Sequence, residues 1–303
     1  MPKRLAWAIE VRSTALLVLF IVAAVVAVMW CPHRANAQQI PELVDRHTLR
    51  VCSDPENLPF SNQRKEGFEN RIADIIGDEL KRPVRYYWLQ QGPGFVRNTL
   101  GTGLCDVIIG YVSGADIVQH TNPYYASTYV LVVKPNGPLA DVKQLEDPRL
   151  KGRKLGMISA TPPVDHLLRL GMIADAKTYA LLVDRRYDSP AEDALADLTA
   201  GRIDGALLWG PIAGYFAKKA GAPLKVISLA QESQRPALAY RITLGIRGNE
   251  TEWKHTLNAV LRKRQKDIDQ VLRDYGVPLV PVDSLPSETS NLAGAQPTED
   301  SQE

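Results

Sequence analysis

The chain of 303 residues is poor in the patterns that carry catalysis, metal binding or phosphate binding. His47, His120, His166 and His255 are scattered, with no H-x-x-x-H, C-x-x-C or calcium-loop spacing, so no metal site is expected. There is no Walker loop and no G-x-G-x-x-G; Gly92-Pro93-Gly94 reads as a turn followed by a helix start. A G-x-S-x-G nucleophile elbow is absent as well. Charge of one sign is missing too. The chain has 36 basic and 34 acidic residues and no basic stripe interleaved with aromatics, which excludes nucleic acid as an expected partner. The run Arg262-Lys263-Arg264-Gln265-Lys266 reads as the solvated face of a helix. No internal repeat is visible, and cysteine is scarce, at three residues.

What is present begins at the N-terminus. Lys3, Arg4 and Arg12 precede an apolar run from Ala15 to Trp30, followed by Ala35-Asn36-Ala37. A basic segment, an apolar segment and an A-x-A site predict a secretory signal peptide over 1–37, cut before Gln38. A retained membrane anchor is the weaker reading, because the run sits near the ~17-residue lower limit for a spanning helix. Cys31 follows Val28-Met29-Trp30 rather than the small residues of a lipidation site, and would leave with the signal. Removing 1–37 takes away four basic residues and one acidic residue, leaving 32 and 33, a net charge of −1. The segment 281–303, rich in Pro, Ser, Thr and Glu and holding five acids and no base, is expected to be disordered. The exported chain keeps Cys52 and Cys105, and an even count in an oxidising compartment favours a disulfide over two buried thiols.

Between these ends strands alternate with helices. LRVCSDPENLPF (49–60) reads as a strand ending in an Asp-Pro turn, GFEN (67–70) opens an amphipathic helix, GFVRNTL (94–100) starts another, and LCDVIIG (104–110) is a short apolar strand before TNPYYAS (121–127). TYVLVVK (128–134) is β-rich and is followed by a turn at Pro135-Asn136-Gly137-Pro138. Helices are predicted from Pro162 through Leu170 with Thr161 as N-cap, over Pro190–Thr199, and over Pro211–Ala220. A strand follows over Leu238–Gly245. The last helix runs from Thr251 to Tyr275 with Trp253, Leu257, Val260, Leu261, Ile268, Val271 and Leu272 on one face, stopped by Gly276. Such alternation predicts an α/β fold with a parallel sheet, in two domains of moderate size.

Those five early motifs, in that order, resemble the first lobe of periplasmic solute-binding proteins of the amino-acid-binding type (family 3). Within that family they look most like the quinoprotein-dehydrogenase-associated MoxJ/XoxJ branch of methanol oxidation, and the resemblance runs from Leu49 to Pro281. It implies a two-lobed type II periplasmic binding fold with a discontinuous first lobe (38–130 and 236–280), an inserted second lobe (131–235) and a hinge. It places the strands of Cys52 and Cys105 side by side, within bonding range. It further implies a periplasmic, non-catalytic protein that assists a PQQ-dependent alcohol dehydrogenase or its cytochrome c and holds no cofactor of its own.

In open α/β sheets ligands bind beyond the carboxyl ends of the strands, which nominates Asp54, Asn57, Phe60, Tyr111, Tyr124, Thr161 and Trp209 for the cleft. The competing role is core packing for each aromatic, and a turn or helix cap for Asp54 and Thr161. Two departures from amino-acid-binding relatives stand out. The arginine that forks onto the ligand carboxylate is replaced by Gly114, and the aspartate that holds the ligand ammonium is replaced by Trp209, at the end of GRIDGALLW. Free amino acids are therefore not expected as ligands. A small aromatic or quinone-type molecule, or a side chain of a partner protein, suits the aromatics better. The fold also hosts periplasmic dehydratases, and Asp54, Glu56 and Glu69 could supply a general acid. Glu69, just inside a helix start, reads more simply as a carboxylate on the helix dipole. A transporter's substrate-binding subunit is the remaining alternative.

Overall fold

The computed structural model describes residues 43–285 apart from 115 and 116. The expected signal peptide with Cys31 and its cleavage point, and the chain beyond 285, lie outside the described residues. The first five residues of the expected tail are described and form a short 3-10 turn over Val282–Ser284.

The first lobe begins with β1 (Leu49–Ser53), the two-residue hairpin strands β2 (Glu56–Asn57) and β3 (Ser61–Asn62), α1 (Phe68–Leu80), β4 (Val84–Trp88), the single turn α2 (Phe95–Asn98), β5 (Val107–Val112) and β6 (Gln119–His120). The long β7 (Tyr125–Val133) leaves it. The second lobe continues with β8 (Leu155–Ile158), α3 (Pro162–Arg169), β9 (Lys177–Tyr179), α4 (Pro190–Thr199), β10 (Gly205–Trp209), α5 (Gly210–Lys219) and β11 (Lys225–Ser228). Finally β12 (Ala239–Ile246) and α6 (Thr251–Asp274) return to the first lobe.

Sheet order is β4-β1-β5-β12-β7-β10-β8-β9, with β11 on β7 and β6 on β12. β1 is parallel to both β4 and β5, and β8 is parallel to β9 and β10, as βαβ units require. β7 is the seam. Its residues 125–128 pair with β12, whereas 129–133 pair with β10 and β11. The chain crosses back through residues 229–238, where Tyr129 N–H donates to Leu238 O (2.7 Å) and Leu229 N–H to Tyr129 O (3.1 Å). Separate apolar cores lie on either side of the crossing. One gathers Leu49, Phe68, Ile72, Ile109, Trp253 and Leu261; the others gather Leu131, Leu155 and Leu167, and Val132, Leu198 and Leu208. The architecture is thus a two-lobed α/β clamp with a discontinuous first lobe.

Local chemistry explains the elements. α1 starts at Gly67, where a Cβ would collide with the Phe60 backbone, so the turn admits only glycine there. Asn70 Oδ1 accepts from Gly67 N–H (3.1 Å) and Asn62 N–H (3.2 Å), capping the helix in place of an N-cap side chain. On α6, Trp253, Leu257, Val260, Leu261, Ile268 and Leu272 are buried, and Gly276 at φ +74° terminates the helix. Beyond it Ser127 Oγ donates to Pro278 O (2.7 Å) and Val280 N–H to Ala126 O (3.0 Å), so the C-terminal segment braces the crossing.

A disulfide joins Cys52 to Cys105, with Cα atoms 5.5 Å apart. It links β1 to the entry of β5, and both residues are buried among Phe95, Leu100 and Ile108.

Candidate functional site

Asp54 immediately follows β1 and is 1% exposed. Its Oδ1 accepts from Glu56 N–H (2.9 Å), closing the Asp-Pro turn, and its Oδ2 accepts from Gln91 N–H (2.7 Å). A third donor comes from the other lobe: Arg185 Nη1 lies 2.7 Å from Oδ2. Asn57 Nδ2 donates to Gln91 Oε1 (3.1 Å) beside it.

The remaining nominated residues do not join this pair. Phe60 lays its ring on Phe68, 5.2 Å between centroids, against the first-lobe core. Tyr111 is half-buried, tilted against His120 at 5.9 Å, and burial raises the pKa of its hydroxyl. Tyr124, expected on the cleft, is instead 3% exposed and sits in the core against Tyr125 (5.0 Å). Its N–H continues the ladder to Ile242 O (3.0 Å) and its carbonyl accepts from Gln265 Nε2 (2.8 Å), which turns the ring inward. Thr161 precedes α3 but caps nothing with its side chain, because Oγ1 donates back to Ile158 O (2.6 Å). Trp209 ends β10 and packs on Tyr129 (5.2 Å) and Tyr240 (5.9 Å), forming an aromatic knot of β7, β10 and β12 at the crossing. Gly114 stands at φ +88° with open space where a side chain would be.

The space between the lobes lies beside Asp54. One cavity of about 330 Å³ is walled by Leu58 from the first lobe and Ile158, Ile212, Tyr215 and Phe216 from the second. A second, of about 410 Å³, is bordered by Asp54, Gln63, Gln90 and Asp184. Glu56 and Arg185 border both. The segment 180–189 forms the far wall and is tied to the first lobe by Arg185 and by Gln90 Nε2 donating to Val183 O (3.2 Å). Nothing in the sequence marks this segment as part of the site beyond the run Asp184-Arg185-Arg186 between a strand and a helix. Among the described residues no group of three His, Cys, Asp or Glu could hold a metal ion, and no helix is long and apolar enough to cross a membrane.

Glu69, on the first turn of α1, is 4% exposed. Its carboxyl lies where a side chain at Gly110 would be, and Gly110 adopts φ +78°. Desolvation, and then the negative charge of Asp54, raise its pKa well above the ordinary 4.5. The folded chain therefore binds this proton more tightly than the unfolded chain. The resulting stabilisation is complete below about pH 4.5 and is lost as pH rises toward the folded-state value. Glu69→Gln, which keeps the shape without the charge, is expected to gain stability relative to the parent as pH climbs from 4.5 toward neutrality. Urea midpoints of both proteins across that range decide it, and parallel curves would contradict a neutral Glu69.

Taken together, a β-strand crossover, two lobes and a space between them at the strand ends define a periplasmic binding protein of the type II class. No family model matches the chain. It is 48% identical to the periplasmic binding protein XoxJ from Methylobacterium extorquens AM1, superposing with a TM-score of 0.66 over 77% of this chain and all of that one. It is 27% identical over 252 residues to Protein MoxJ of Methylorubrum extorquens, covering 78% of this chain and 83% of that protein. An ancestral cationic amino acid solute binding protein shares the fold at 23% identity and a TM-score of 0.60, over 76% of this chain and 96% of that one. The chain belongs to the MoxJ/XoxJ-like branch of the family 3 solute-binding proteins.

Proposed function

We propose that the protein is a non-catalytic periplasmic factor that assists the assembly or activation of a PQQ-dependent (quinoprotein) methanol or alcohol dehydrogenase. The observation that carries this reading is the 48% identity along the whole of XoxJ, joined to the link with quinoprotein dehydrogenases that the family resemblance implies. The cleft supports it. Neither zwitterion clamp is present, with Gly114 and Trp209 at the two positions, and the carboxylate of Asp54 already holds Arg185. Of the three carboxyls that could act as a general acid, Glu69 borders neither inter-lobe cavity and Asp54 is paired with Arg185, which leaves Glu56 alone for a catalytic role. The partner on this reading is the dehydrogenase or its cytochrome c, and the lobes divide near residues 130 and 235.

A second reading, the substrate-binding subunit of an ABC transporter for a small non-amino-acid, aromatic ligand, is favoured by one feature. The 330 Å³ cavity is of small-ligand size, and Tyr215 and Phe216 line it. A tagged pull-down from the periplasm of methanol-grown cells, read by mass spectrometry, separates the two. Recovery of a quinoprotein dehydrogenase or its cytochrome c in near-equal amount is expected. An empty pull-down, together with a melting-temperature rise of several degrees on adding a small aromatic compound, would overturn the accessory reading in favour of transport. None of the common amino acids at millimolar concentration should give such a rise.

A further inference from the structure

Asp54 carries a nearly fully buried carboxylate at the boundary of the lobes, and a buried carboxylate is costly unless a cation meets it. Among the described residues, the first lobe supplies only the backbone N–H groups of Glu56 and Gln91 to this carboxylate. The cation comes from the second lobe. Arg185 reaches across from segment 180–189 and places Nη1 2.7 Å from Oδ2. Arg185 lines both inter-lobe cavities. Glu56, half-buried and in no ion pair among the described residues, borders both cavities as well, so the site keeps a second carboxylate. The apolar wall of Leu58, Ile158, Ile212 and Phe216 suits the methylene stem of such a group.

We infer that Asp54 is the anchor of a guanidinium-binding site between the lobes that the chain fills with its own Arg185. The clamp thereby closes without a ligand, and a guanidinium from outside enters by exchange. This holds whichever partner the lobes serve. An exchange site of this kind takes either a free guanidino compound without the α-amino-acid zwitterion, for which the cleft has no clamps, or an arginine side chain presented by another protein. The chemistry is the same: a planar, permanently charged fork on a carboxylate.

The test compares the full-length protein with Arg185→Ala, a change on a partly exposed loop residue. Small-angle scattering and thermal unfolding are followed while agmatine, a guanidinium on an apolar chain, is titrated in. A blocked tripeptide with a central arginine is titrated in parallel. Arg185→Ala is expected to scatter as a more open particle. Agmatine or the peptide should then restore compactness and raise its melting temperature saturably. The parent should need roughly tenfold more of either, because its site is free only for the fraction of time Arg185 is away. Rescue by agmatine assigns the site to free guanidino compounds, and rescue by the peptide alone assigns it to a partner's arginine. Adding Asp54→Asn should abolish the rescue; if that variant does not fold, the comparison of Arg185→Ala with the parent decides. Unchanged compactness in Arg185→Ala, or equal responses of parent and variant to both probes, would overturn the inference.

Discussion

Replacing Cys52 and Cys105 together by alanine lowers the stability of the protein by about 4 kcal/mol, as the chain-entropy relation gives for a loop closed across 53 residues. The loop contains α1 and β4 and returns at the entry of β5, so the bridge constrains most of the first lobe's first half. In the folded state it is an apolar packing element, buried with Phe95, Leu100 and Ile108. Alanine keeps that environment apolar, which confines the loss mainly to the unfolded chain's freedom plus a small cavity. The measurement is the urea midpoint of the double variant against the parent, with the reduced parent as a second comparison. A loss under about 1 kcal/mol would mean that the unfolded chain already keeps β1 near β5. The second lobe, reached only through the crossing, should retain its ellipticity at denaturant concentrations that melt the first.

How far the sequence announced this structure depended on how local the cause of each element was. α4, α6 and β12 are legible because periodicity, a proline at the first turn and a terminal glycine act within one element; their observed bounds, Pro190–Thr199, Thr251–Asp274 and Ala239–Ile246, match the reading closely. β4 was not legible. Val84–Trp88 lies at the sheet edge with alternate side chains exposed, and it is held by pairing with β1, some 35 positions earlier by register. β9 and β11, three and four residues long and half-exposed, are strands only because a neighbour completes them. The site divides in the same way. Asp54 and Asn57 follow from the rule that ligand space opens at strand ends, and both border the inter-lobe cavities. Arg185 could not follow, since its partner is 131 residues away and nothing in Asp184-Arg185-Arg186 says which lobe it faces. Tyr124 shows the converse limit: an aromatic near a strand end can turn to the cleft or to the core. Here the backbone ladder to Ile242 and the face of α6 decide for the core.

Asp106 is the site at which a single substitution should cost most. Its side chain is 1% exposed and meets Arg50 through two bonds, Nε to Oδ2 at 2.8 Å and Nη2 to Oδ1 at 2.6 Å. Arg247 Nη2 adds a bond of 2.7 Å from the end of β12, and Asp45 N–H reaches Oδ2 at 3.2 Å. One carboxylate thus joins β1, the entry of β5, β12 and the incoming chain, one residue from the disulfide. Removing one partner of a buried ion pair costs about 3–5 kcal/mol, because the other charge is left in a poorly hydrated place. Asp106→Ala is placed at the lower end, near 3 kcal/mol. Glu250 still pairs Arg247 at 2.6 Å, and Arg50, with 28% of its side chain exposed, can turn to water. Asp106→Asn, which keeps acceptors for Arg50, should cost less than alanine. The bridge acts mainly on the unfolded chain and this network on the folded one, so their losses should add although both sit at the junction of β1 with β5. In a double-mutant cycle, Asp106→Ala on the cysteine-free background is expected to cost about as much as on the parent. A clearly smaller cost there would show that the bridge also holds the folded strands in register, contrary to a purely unfolded-state role.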